Sequence, residues 1–174
     1  KETFGLDADF SQIVVPNVVP ANKWPVVVPV GLDYNAILQA CRKSFPIYSY
    51  YEDLNAKIDL TQEERHNGSS AYAIFVGNHW EATEGDEELK ELNVDTIKER
   101  QIKTMTLKER MLLECFLYRK FKKHLDLQKI TLCSGSRGCD GYVPVARWSS
   151  DEFFVDWFGG RSVVFHLRVR AVVS

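Results

Sequence analysis

Four cysteines and four histidines are the side chains of this sequence best suited to metal or nucleophilic chemistry, and their spacing argues against both. His66, His79, His124 and His166 are scattered with no His-x-x-x-His pair, and the cysteines lack a zinc-ligand spacing, so no metal and no cofactor is expected. Cys41 and Cys115 fall in helical apolar patterns, where a free thiol behaves as a small core hydrophobe. Cys133 and Cys139 flank a Gly/Ser loop; a bridge between them is compatible with the spacing, but reduced thiols are the expectation. That loop, Ser134-Gly135-Ser136-Arg137-Gly138, could cradle an anion, yet it lacks the Gly-Lys-Ser/Thr of a P-loop and precedes a strand. No nucleophile elbow is present. The adjacent acids Asp151 and Glu152 sit at a turn and point apart, so they do not form a converging carboxylate pair. No catalytic residue is assigned, and the chain is read as a non-enzyme.

The bulk properties narrow the partners. A chain of 174 residues with net charge −2 and 45% hydrophobic residues suits one folded domain preceded by an arm. A near-neutral balance gives no basis for nucleic-acid binding by bulk charge. No apolar run approaches the roughly 18 residues of a membrane span. Cytoplasm, virion and cell surface all stay open as locations. A sequon, Asn67-Gly68-Ser69, occurs once in this stretch.

The elements that must position any site follow from periodicity. Residues 1–30 form a Val/Pro-rich arm: its Val runs favour extended backbone while its prolines forbid a central strand. The arm is therefore expected to add an edge strand or to pack on another subunit, which opens the prospect of self-association. Residues 31–174 are read as one domain. Asp33 opens a helix carrying Tyr34, Ile37, Leu38, Cys41 and Phe45 on one face, and Pro46 stops it. Ile47 to Tyr51 and Tyr72 to Trp80 read as strands, and residues 81–100 as a solvated helical excursion. Thr106-Leu107-Lys108-Glu109 is a capping box opening a long helix to about His124. The basic end of that helix, Lys120, Lys122, Lys123 and His124, complements its dipole.

Beyond Ile130 the texture is that of strands: 130–133, 142–148, 153–158 and 163–173. Alternation assigns faces. Trp148 with Ala146 and Pro144 should point inward, as should Trp157 with Val155 and Phe153. Val145, Arg147, Phe154, Asp156 and Phe158 then point outward. In the last strand Leu167, Val169 and Ala171 are expected inside, alternating with Arg168 and Arg170. The fold class is α+β, with two main helices followed by a C-terminal antiparallel β meander.

Residues 104–174 resemble a known group. Met105-Thr106-Leu107-Lys108-Glu109-Arg110, Glu114, Thr131-Leu132-Cys133-Ser134-Gly135-Ser136-Arg137, Asp140-Gly141-Tyr142-Val143-Pro144, Trp148, Trp157 and the closing 167–173 run are similar to the variable proteins of diversity-generating retroelements. These occur in phages, bacteria, and archaea with their viruses. The resemblance implies a C-type lectin-like fold, related to the formylglycine-generating-enzyme type. It also implies a ligand-binding face in the last strands and loops, rewritten by adenine-directed mutagenesis, with residues 130–174 as the variable region. The cysteine pair of the oxidase relatives has no clear counterpart here.

One count bears on this independently. Residues 1–129 hold 12 Lys and 7 Asn, whereas residues 130–174 hold neither. Lys and Asn have the most adenine-rich codons, so mutagenesis at adenine would deplete them. Buried sheet also disfavours both, but the segment keeps five Arg, four acids and several turns where Asn is at home.

The expected ligand-binding set is Cys139, Tyr142, Val145, Arg147, Ser149, Ser150, Phe154, Asp156, Phe158, Arg161 and His166, facing an unknown protein or glycan. Mixed aromatic, Arg and small polar residues suit such a surface. For Phe154 and Phe158 ordinary core is an equal reading. Two other functions stay open: a fixed-site lectin-like binder or formylglycine-generating-enzyme-like catalytic relative, and a virion or structural subunit.

Overall fold

The Thr106 signal organises the structure, a computed structural model describing residues 13–18, 21–65, 70–82, 89, 92–159 and 166–174. The Thr106 hydroxyl accepts from the Glu109 amide while the Glu109 carboxylate accepts from the Thr106 amide, closing the capping box. From it runs the longest helix, Leu107–Phe121, which ends at Lys122 in a left-handed conformation. We number the helices α1 (Tyr34–Arg42), α2 (Leu54–Lys57), α3 (Val94–Glu99) and α4 (Leu107–Phe121). Asp33 caps α1 by accepting from the Ala36 amide at 2.7 Å.

Eight strands complete the described chain: β1 (Lys23–Val28), β2 (Ile47–Ser49), β3 (Tyr72–Gly77), β4 (Ile130–Leu132), β5 (Val143–Ser149), β6 (Glu152–Phe158), β7 (Leu167–Val169) and β8 (Val172–Val173). They form two sheets, ordered β1-β3-β8 and β2-β6-β5-β4-β7. The architecture is α+β, with mostly antiparallel pairing. The Val/Pro run supplies β1, an edge strand antiparallel to β3, and buries Val26 and Val28 while Val27 faces out. Val14 adds a bridge to Tyr72. The rest of the N-terminal arm, 1–12 and 19–20, lies outside the described residues.

The expected meander is only partly antiparallel. β4, β5 and β6 follow one another antiparallel, but β7 runs parallel to β4 and β2 parallel to β6. The single strand expected over 163–173 is two: β7 stays in the larger sheet, and β8 crosses to pair with β3. Arg170 and Ala171 make that crossing, and Arg170 donates to the His79 carbonyl at 3.0 Å.

The larger sheet is covered on both sides over half its width. One face packs on α1 and α4 through Phe153, Val155 and Ala146, with Trp148 and Trp157 half-buried at its margins. The other face, over β4, β7 and the start of β5, carries Leu132, Val143, Val145, Leu167 and Val169 under Leu89, Val94 and Ile97. This second layer corrects three readings. Val145 is 2% exposed, so it is core and not ligand-binding surface. Leu167 and Val169 are buried, but on the side opposite Trp148. Arg168 therefore turns toward the main core, and Arg168 and Arg170 are both buried.

The charges follow from that inversion. Asp126 accepts from Arg170 at 2.7 Å, pairs with Arg110 at 3.2 Å, and accepts from the Thr131 hydroxyl and the Ala82 amide. Glu114 pairs with Arg110 at 2.6 Å and with His124 at 2.8 Å. Two guanidiniums and two carboxylates, all fully buried, thus link α4, β4 and the crossing to β8. The His124 ring stacks on Trp148 with centroids 3.4 Å apart, and on Tyr118 at 4.6 Å.

Candidate functional site

Among the described residues no element covers the outer face of the sheet over β2, β6 and the second half of β5. Register places Tyr48, Phe154 and Arg147 side by side on three neighbouring strands. The Tyr48 and Phe154 rings lie 5.3 Å apart, and the Arg147 guanidinium sits 5.4 Å from the Phe154 centroid. Asp156, two residues along β6, projects from the same face and is exposed. Phe158, next in that row, is half-buried against the second cluster and forms its rim. The result is a cation, two aromatic rings and a carboxylate on a rigid sheet, bounded by a packed apolar layer.

A second group gathers at the loop end of β5. The Lys57 ammonium lies 4.3 Å from the Tyr51 ring and 5.0 Å from that of Trp157. It also pairs with Asp140, and the neighbouring ammonium holds the Asp140 carboxyl below the usual carboxylate range. Tyr50 packs on Tyr51 at 4.8 Å and is 60% exposed. Cys139 and Tyr142, both exposed, belong to this loop. Gly141 holds φ +82°, a conformation that side chains bearing a Cβ rarely adopt.

The expected set therefore separates into groups. Arg147, Phe154 and Asp156 share the open face, whereas Cys139 and Tyr142 lie at the loop end. Ser149 and Ser150 occupy the opposite end, at the β5–β6 hairpin. That end lies roughly 20 Å away, from the rise per residue along a seven-residue strand. His166 is exposed beside β4, while Arg161 and the sequon Asn67-Gly68-Ser69 fall outside the described residues. Tyr48 and Tyr50 were missed because β2 lies far from the C-terminal segment in sequence. Three strand residues leave too short a run to show which face is open.

Glu63 was also missed. Its carboxylate accepts from the Ser136 hydroxyl at 3.1 Å and from the Tyr34 hydroxyl, and burial pushes its pKa up to about 7 despite nearby Lys108. The Gly/Ser loop is thereby built into the core. Ser136 accepts from the Leu107 amide at 3.0 Å, and a Cβ on Gly135 would meet the Thr104 carbonyl at 2.9 Å. Because Glu63 binds its proton more tightly when folded, stability declines as pH rises from about 4.5 toward 7 and levels off above. Glu63→Gln should remove that decline and gain up to about 3 kcal/mol at pH 8. Urea melts at pH 5 and pH 8 check it; an unchanged pH slope would count against a buried, proton-binding Glu63.

No family model, curated protein or solved structure matches this chain. Among the described residues no helix is long and apolar enough to cross a membrane, and no three His, Cys, Asp or Glu side chains group as a metal site.

Proposed function

We propose that this protein binds a protein or glycan ligand through the open face of β2, β6 and β5, and that retroelement mutagenesis diversifies the β5 and β6 part of this surface on a C-type lectin-like scaffold, with Tyr48 of β2 as a fixed neighbour. The observation that carries the reading is the Tyr48–Phe154–Arg147 row with Asp156 beside it. Aromatic side chains supply large contact area at low entropic cost, the Arg147 guanidinium lies over one of them, and a sheet holds the row in place. The depletion of Lys and Asn from residues 130–174 supports diversification. At the hairpin, Ser150 and Asp151 both adopt positive φ, 51° and 65°, where Asn-Gly is the favoured pair. Elsewhere the chain does use Asn at such a position, at Asn22.

The gene tests the proposal. A near-identical copy of the stretch encoding 130–174 should lie near a reverse-transcriptase gene and differ mainly where the copy has adenine. The differences should fall on codons for Arg147, Phe154, Asp156, Tyr142 and Ser150, and spare Phe153, Val155, Trp148 and Trp157. Absence of a copy, or differences concentrated on the inner-face codons, would remove the diversification claim. At the protein level, Arg147→Ser and Asp156→Ser should each change unfolding free energy by no more than about 0.5 kcal/mol in urea melts, as for surface positions generally.

A further inference from the structure

We propose that Cys41 and Cys115 are a redox-active pair that closes into a disulfide between α1 and α4. Their sulfurs lie 2.8 Å apart in the core, across a separation of 74 residues. That is already much closer than an ordinary contact between two sulfur atoms. A closing movement of less than about 1 Å reaches the bonded distance of about 2.05 Å. The two thiols face each other because α1 packs directly on α4 and each places its cysteine on the shared face. Cys41 is sealed, at 0% exposure, and the neighbouring Cys115 sulfur and burial hold its thiol protonated. Cys115, 2% exposed, borders a groove of about 610 Å³ between β1 and α4, with Pro25, Val27, Leu112 and Phe116, and this is the side from which an oxidant would approach.

The chemistry needs a disulfide-form oxidant such as oxidised glutathione. The Cys115 thiolate attacks one sulfur of the oxidant, giving a mixed disulfide and releasing one glutathione thiol. The Cys41 sulfur then attacks the Cys115 sulfur of the mixed disulfide and displaces the second glutathione, whose thiolate takes up the Cys41 proton as it leaves. Two protein thiols are oxidised by two electrons, and the oxidant is reduced to two thiols. The bond would tie α4 to the helix that leads into β2, the strand carrying Tyr48.

The test is peptide mapping of the full chain after incubation with oxidised glutathione, with the remaining thiols blocked by iodoacetamide under denaturing conditions. The expected result is a mass 2 Da lower before alkylation, two blocked thiols instead of four, and a tryptic pair joining the peptides of Cys41 and Cys115. The melting temperature should rise by roughly 5–15 °C against the same sample in dithiothreitol. Cys115→Ala should abolish the linked pair and the shift. Should that variant not fold, the same map after refolding the wild type in a glutathione redox buffer decides the matter. Four free thiols after both treatments, a stable glutathione adduct on Cys115, or a linkage through Cys133 or Cys139 would each overturn the proposal.

Discussion

Asp126→Asn should destabilise the fold by about 3–5 kcal/mol, the usual cost of leaving buried partner charges uncompensated. Asp126 is fully buried and receives Arg170, Arg110, the Thr131 hydroxyl and the Ala82 amide. The amide keeps the shape and the left-handed backbone, φ 55°, which Asn tolerates. What goes is the charge: Arg110 keeps Glu114, while Arg170 is left with the His79 and Trp80 carbonyls and no carboxylate partner. For a chain of this length the loss corresponds to a fall in Tm of roughly 8–15 °C. Adding Arg170→Met to Asp126→Asn should cost less than the two changes summed, because each removes the other's unpaired charge. A urea melt showing less than about 1 kcal/mol for Asp126→Asn would mean water reaches this cluster.

The same residue sets part of the acid limit. Burial alone would raise the Asp126 pKa, but Arg170, Arg110 and the Thr131 hydroxyl outweigh it and hold the carboxyl below its ordinary value. A carboxyl depressed on folding stabilises the native state above its unfolded pKa of about 4. That contribution is lost as pH falls through the lower folded value. The Asp126→Asn variant should therefore show a shallower loss of stability over that window than the wild type.

Phe153→Ala and Phe154→Ala, neighbours on β6, should differ by several kcal/mol. Phe153 is 0% exposed, in edge contact with Phe45 at 5.9 Å and with the Arg110 guanidinium 5.2 Å from its ring centre. Truncating it removes a ring from a close-packed core and exposes a buried cation to a cavity, a cost of about 3–5 kcal/mol. Phe154 faces outward between Tyr48 and Arg147, and its loss should cost about 1 kcal/mol or less. Paired urea melts measure the difference. Comparable losses would mean that the outer face is core, and the binding reading would fall with it.

The alternation that sets Phe153 and Phe154 on opposite faces was legible from the order of residues, although ordinary core stood as an equal reading for Phe154. A strand has a side-chain period of two, and turn residues mark where β6 begins and ends. The same holds for α4, whose capping box is a local exchange of two hydrogen bonds needing no tertiary partner. Asp33 and the edge position of β1 belong with these, since capping and the missing proline amide act within a few residues.

Only the tertiary structure decided which faces are covered. Parity divides β5 into Val145 with Arg147 and Ala146 with Trp148, but it does not say that α3 lies over Val145 and stops short of Arg147. The inward turn of Arg168 and Arg170 has the same origin. Once Leu167 and Val169 pack under Val94 and Ile97, alternation drives Arg168 to the other side, while Arg170 leaves the sheet toward Asp126. Asp126 itself carries no local signal, because its partners come from α4, β4 and the crossing to β8. The open face likewise depends on β2, whose Tyr48 meets Phe154 across more than a hundred residues of chain. Local sequence encodes periodicity and caps through contacts between near neighbours. Coverage and charge pairing arise from contacts that exist only after distant segments have packed.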